Sequence, residues 1–231
     1  MTMEPKGRIA AAVLLATFWL GSSLAHGAEV SGRVHVRGRT AALSVPTYVY
    51  AEPLGRGPAP VPVRAKLLQR SKAFQPRSLV LPVGSLVDFL NEDLIFHNVF
   101  SLSSPHPFDL GLYRAGASRS QTFNEPGFYR VFCNIHPQMT AVLLVVPTSF
   151  ITEADASGTY RIDLPPGRYR LTAWSERSQP ATTEVTVGSA SVIPPELTLD
   201  ESKFVEMRHK NKHGQDYPKD AYARMREQRA R

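Results

Sequence analysis

The chain is poor in cysteine: its 231 residues contain one, Cys133. A single thiol excludes an internal disulfide, and it excludes covalent haem attachment, which takes two cysteines. Long apolar runs are scarce as well. The one candidate, Ile9 to Leu20, is too short to cross a bilayer, so no membrane span is expected. No segment keeps a helical period, which argues against bundles and coiled coils.

What stands at the N-terminus instead has the order of a secretory signal. Lys6 and Arg8 come first, then the apolar run, then Ser23-Leu24-Ala25 at the positions a signal peptidase reads. Residues 1–25 are expected to be removed, leaving 206 residues, enough for one large or two modest domains. No cysteine near the cleavage point can carry a lipid, and no Arg-Arg pair precedes the run. Export to the periplasm as an unfolded chain is therefore expected, with any metal loaded afterwards. The formal net charge is +7, and residues 201–231 hold nine Lys or Arg against five Asp or Glu. This basic stretch suits contact with anionic surfaces, whereas export argues against nucleic acid. Rich in charge and poor in large apolar residues, it reads as a mobile tail or a frayed helix.

Between these ends lie short strand-like runs punctuated by turns, which predicts an all-β protein, an antiparallel sandwich or barrel. Val34–Val36 and Thr47–Tyr50 come first, and the Gly/Pro-rich residues 55–62 then break the pattern. Strand-like runs resume at 63–68, 78–81, 86–90, 97–102, 121–123, 127–132 and 141–146. A second group follows Pro147: 159–163, 168–174, 184–187 and 196–199. Neither the two early strands nor the four late ones make a good sandwich alone, but pooled they do. Two layouts are open. In one, residues 29–58 and 148–199 form a split sandwich with 61–147 inserted. In the other, two domains follow one another along the chain.

The chemistry gathers around the single thiol. Cys133-Asn134-Ile135-His136-Pro137-Gln138-Met139 offers a thiolate, an imidazole and a thioether within seven residues, between two strand-like runs. His97, upstream at the start of another run, supplies a second imidazole. Two His, one Cys and a weak axial Met are the donors of a blue-copper electron-transfer centre, and a fixed β scaffold keeps reorganisation between oxidation states small. Each residue has an ordinary alternative: a buried Cys, a surface His, a core Met. Their coincidence at this spacing favours a site. Zinc prefers a stronger fourth donor than a thioether, and a thiol hydrolase wants its Cys at the start of a helix.

Other groups carry less. His106 lies near His97 in sequence and reads as a rim residue of the site. His209 and His213, four apart, suit metal only if helical. His26 would begin the mature chain, where an N-terminal His can chelate copper through its amine and ring, but no other part of the chain supports that reading. Asp155 and Ser157 read as a polar hairpin turn rather than a calcium loop.

Val87-Asp88-Phe89-Leu90-Asn91-Glu92-Asp93 with His97-Asn98-Val99, followed by Phe128-Tyr129-Arg130-Val131-Phe132-Cys133 and the loop to Met139, resembles the plastocyanin/azurin cupredoxin family over residues 61–147. The Cys-x-x-His-x-x-Met spacing is similar to amicyanin. Residues 91–93 and 101–116 depart from that pattern and resemble exported plastocyanin-like chains labelled methylamine utilization proteins. The resemblance implies a Greek-key β-sandwich with one type 1 copper ion on His97, Cys133, His136 and Met139. It implies that Asn98 stitches the two ligand segments together and that electrons leave near Pro137-Gln138. Residues 152–169 resemble the carboxypeptidase regulatory-like, transthyretin-type sandwich. A site saturated by four protein donors leaves no position for a substrate, so an enzyme is not expected. The expected role is a one-electron carrier between periplasmic redox proteins, a dehydrogenase or a cytochrome. The alternatives are a periplasmic copper carrier or sensor, and an accessory subunit docked to a dehydrogenase.

Overall fold

The computed structural model describes residues 27–39, 45–103, 106–205 and 209–217. The expected signal segment and His26 lie outside them. Among the described residues there is no helix, and sixteen strands make four sheets. The protein is all-β.

The early strands β1 (Ala28–Arg37) and β2 (Tyr48–Pro53) share sheets with late ones: β12 (Ile151–Glu153), β13 (Thr159–Leu164), β14 (Gly167–Trp174), β15 (Ala181–Val187) and β16 (Leu197–Asp200). The sheet β13-β1-β16 packs on the sheet β12-β2-β14-β15, with Val30, Val49, Leu164, Leu171 and Leu199 fully buried between them. This is the outer sandwich. β13 shows why: in Thr159–Leu164, Tyr160, Ile162 and Leu164 point inward while Arg161 and Asp163 face water, the period-2 pattern of a half-buried strand.

The inner sandwich holds β3 (Arg64–Arg70), β4 (Ala73–Gln75), β5 (Ser78–Pro82), β6 (Ser85–Asn91), β7 (His97–Ser101), β8 (Phe108–Tyr113), β9 (Ser118–Phe123), β10 (Gly127–Phe132) and β11 (Thr140–Val146). Its sheets run β5-β11-β10-β7-β8 and β4-β3-β6-β9. The expected purely antiparallel pairing does not hold. β3 with β6, β5 with β11 and β1 with β16 are parallel, because the chain passes through the facing sheet between the two members of each pair.

β11 reads as an unbroken apolar run because it is buried on both faces. Leu143 and Val145 enter the inner core, whereas Val142 and Val146 join Val80, Tyr48 and Trp174 in a cluster between the sandwiches. Full burial of each such aliphatic side chain is worth about 1.5–3 kcal/mol. Two polar contacts flank this cluster. Tyr48 donates its hydroxyl proton to the Ser78 carbonyl at 2.9 Å, and Arg77 Nε meets the buried Glu176 carboxylate at 2.6 Å.

Candidate metal centre

β10 and β11 form a hairpin with Phe132 opposite Thr140, so the seven residues 133–139 are its connection. β10 also pairs antiparallel with β7 through Phe132 and Phe100. Continuing that register sets the start of β7, His97, beside the loop. The loop is closed by two main-chain bonds, Cys133 N to the Met139 carbonyl at 3.2 Å and Met139 N to the His136 carbonyl at 2.9 Å.

Three donors converge there. Cys133 Sγ lies 3.8 Å from His97 Nδ1 and 3.7 Å from His136 Nδ1, and the two Nδ1 atoms are 3.1 Å apart. The circle through these atoms has a radius of about 2.1 Å. Bonds from a first-row ion are about 2.0–2.1 Å to imidazole nitrogen and about 2.3 Å to thiolate, so one ion fits between them. Among the described residues this is the group of His, Cys and carboxylate side chains that converges closely enough for a metal. Met139 is fully buried in the same core cluster as Cys133. His97 and Cys133 are fully buried and His136 is half-buried.

Asn98 ties the start of β7 to the 133–139 loop. Its Oδ1 accepts from Asn134 N at 3.3 Å, and its Nδ2 donates to Asp109 at 2.7 Å. A further supporting group is Asp93, to which the sequence pattern assigns no role. Asp93 Oδ2 lies 2.7 Å from His97 Nε2, so that nitrogen donates and Nδ1 turns its lone pair toward the centre. Asp93 also accepts from the amides of Ser71 (2.6 Å) and Lys72 (2.9 Å), two residues with φ of 53° and 55° at the tip of the β3–β4 hairpin. Non-glycine residues reach that region at some cost, and the carboxylate captures the amides it exposes.

Electrostatics follow the geometry. Burial pushes the Cys133 thiol up, and the amides of Asn98, Ile135 and His136 pull it partway back. Burial, then the proximity of His97 and the Lys72 ammonium, push His136 down to about 4 against the pull of Asp93. At Asp93 burial works upward, but the Lys72 amide, His97 and the Ser71 amide outweigh it and hold the carboxyl below its ordinary value.

No family model matches the chain, and no curated protein does either. Solved structures do. The Cu-containing nitrite reductase from Thermus scotoductus SA-01 is similar at 29% identity and a TM-score of 0.34, over 41% of this chain and 25% of that one. This chain thus spans about a quarter of the reductase's length. A purple cupredoxin from Nitrosopumilus maritimus is similar at 23% identity and a TM-score of 0.33, over 36% of this chain and 99% of that one. A proline-to-alanine mutant of amicyanin, in its oxidized state, is similar at 22% identity and a TM-score of 0.34, over 36% of this chain and 81% of that one.

Several expectations need correction. His106 is not on the rim: it pairs with Glu125, before β10, whereas Cys133 follows that strand. Pro137 is buried rather than presented to solvent, and its carbonyl accepts from His209 Nε2 at 2.7 Å. Residues 209–217, expected to be mobile or a frayed helix, are non-helical and packed on the ligand loop, because the His209 ring stacks on Phe132 with centroids 4.1 Å apart. His213, in the same non-helical segment, has no helical spacing to His209. The rest of the basic tail from 218 lies outside the described residues. Asp155 is a turn residue, its Oδ1 accepting from Ser157 and Thr159.

Proposed function

We propose that this chain is a one-electron carrier that holds a single type 1 copper ion on His97, Cys133 and His136, with Met139 as the weak axial donor. The observation that carries the reading is the triangle of two imidazole nitrogens and one thiol sulfur, sized for a first-row ion and built on a hairpin loop and a facing strand. Two imidazoles and a thiolate form the equatorial set of a blue-copper site. Bound copper would supply a reversible Cu(I)/Cu(II) couple. The chain's part is to fix its donors in advance: Asp93 sets the His97 tautomer, Asn98 ties β7 to the loop, and burial keeps water from Cys133. Cys133 loses its proton when metal binds, so affinity rises with pH. With four protein donors no position is left for a substrate, which favours electron transfer over enzymatic chemistry.

The surface around the donors supports a protein partner. Leu94, Ile95 and Phe96, just before His97, are exposed, Leu94 at 97%. Ile135, beside His136, and Leu112, opposite Asn98, are exposed too. An apolar patch of this kind suits docking of a periplasmic dehydrogenase or cytochrome, and the signal-like N-terminus supports export to that compartment.

The test is a visible spectrum of the purified protein titrated with Cu(II). An intense thiolate-to-copper band toward the red end is expected, with one equivalent bound. A colourless titration would overturn the reading.

A further inference from the structure

Residues 209–217 follow the last strand of the outer sandwich, yet they lie on the ligand loop of the inner one. They are an ordered turn in their own right. Asn211 Oδ1 accepts from the amides of His213 and Gln215, both at 2.9 Å, and Gly214 takes the left-handed φ of 75° that closes the turn. From this segment four polar contacts and one ring stack reach the loop and its supports. His209 Nε2 meets the Pro137 carbonyl while its ring stacks on Phe132. Lys212 donates its backbone N–H to Asn134 Oδ1 at 2.9 Å. The Lys212 ammonium pairs with Asp109 at 2.8 Å, the same carboxylate that holds Asn98. The Tyr217 hydroxyl donates to the Cys133 carbonyl at 3.2 Å.

Apart from this turn, the loop is held by two main-chain bonds, the Asn98 link and the amides of Asn98, Ile135 and His136 on the Cys133 sulfur. Cys133 and Met139 are fully buried while His136 is half-buried, so opening this loop is what exposes the sulfur donors to metal exchange. Opening it breaks the contacts to the carbonyls of Cys133 and Pro137 and to the side chain of Asn134. We propose that residues 209–217 are a strap that locks the ligand loop and governs metal exchange, a device that rests on the copper reading above. The strap is continuous in sequence with β16, so anything that displaces it, a partner docking on the C-terminal segment above all, unlocks the loop without touching a ligand.

Full-length His209→Ala, Tyr217→Phe and the double variant test this, with Arg168→Ala on the outer sandwich as control. Two rates are read. In metal-free protein, the chain's single thiol is titrated with an aromatic disulfide such as DTNB. In copper-loaded, reduced protein, transfer of Cu(I) to bicinchoninate is followed. Each lost contact is expected to speed both rates by roughly fivefold to tenfold, multiplying in the double variant. The unfolding temperature should hold nearly steady, because the strap lies outside both cores. Tyr217→Phe removes only a hydroxyl, so it keeps the test sound if the double variant misfolds. Rates in folded variants that match wild type overturn the strap. If wild type takes up no copper, the copper reading falls alone, and the thiol rate decides whether the segment locks the loop.

Discussion

The two sandwiches are built alike, and they differ at one end of one of them. The outer core is mostly aliphatic, with Tyr160, Tyr169 and Phe150 among its side chains, and its buried polar groups, such as Thr172, Ser175 and Glu201, include no cluster of metal-ligand type among the described residues. The inner core starts in the same way, around Leu67, Phe89, Val131 and Leu143, and then turns polar toward the β10–β11 loop, where Gln69, Asn91, His97, Asn98 and Cys133 are buried. Buried polar groups are costly unless each finds a partner, and most of these do. Asn91 Nδ2 donates to the Ile95 carbonyl at 2.8 Å, the Gln69 amide reaches Tyr113, and the Tyr113 hydroxyl donates to the Phe89 carbonyl at 3.0 Å. The inner sandwich gives up apolar volume at one end in exchange for a fixed set of donors.

The sharpest way to break this contrast is one substitution in each body. Cys133→Ser should abolish the visible copper band completely and leave the circular dichroism of a β protein. Leu171→Ala, in the outer core, should do the reverse: a loss of about 2–5 kcal/mol in urea unfolding with the band unchanged. If the band fades in step with Leu171→Ala destabilisation, the two bodies are a single cooperative unit. Trp174→Ala tests that coupling directly. Trp174 packs with Tyr48, Val80, Val142 and Val146 between the sandwiches, so its loss should cost about 3–5 kcal/mol, and calorimetry reads whether the two bodies then melt together or apart.

Asp93→Asn is a finer probe of the polar end. The ring of His97 loses a charged acceptor but keeps a hydrogen-bond partner. Metal affinity should fall by about 10- to 100-fold, read by competition with a chelator, with little change in fold. The smallest effect concerns protons. The folded value of His136 is about 4 against an ordinary 6.5, so on acidification the unfolded chain takes up this proton first. The metal-free protein should keep its full stability above about pH 6.5 and lose this contribution as pH falls toward 4. The urea midpoint at neutral pH and at a pH midway between those two values measures it, and His136→Ala should flatten that part of the slope.

Much of this was legible in the chain, and what was missed shares a physical cause. Alternation in 159–163 and 168–174, and the apolar run at 141–146, announced strands because side-chain burial follows their own period. β8 (Phe108–Tyr113) escaped because Pro105, Pro107 and Gly111 break up its neighbourhood and it lies at a sheet edge. β4 and β12 have only three residues each, too few to show a period. Asp93 carries no signal beside its neighbours, since its role depends on two amides at the tip of a hairpin, 22 and 21 positions upstream. The packing of residues 209–217 was hidden for a similar reason. It runs through backbone carbonyls, one imidazole stack and one lysine, none of which leaves apolar periodicity in a charged sequence.

The pairing of β1 has a consequence for how the chain assembles. β1 is synthesised among the first strands, but its neighbours β13 and β16 come late; Arg37 and its ion-pair partner Asp200 are 163 positions apart. All nine strands of the inner sandwich emerge before β12, so that body is complete while β1 and β2 still wait. Closing so long a loop is slow, and until β13 and β16 arrive β1 offers two unpaired edges to any neighbouring chain. A chain halted after Val146 therefore carries a finished ligand-bearing body behind two orphan strands. The half most exposed to misassembly is the one whose strands come from both ends of the chain.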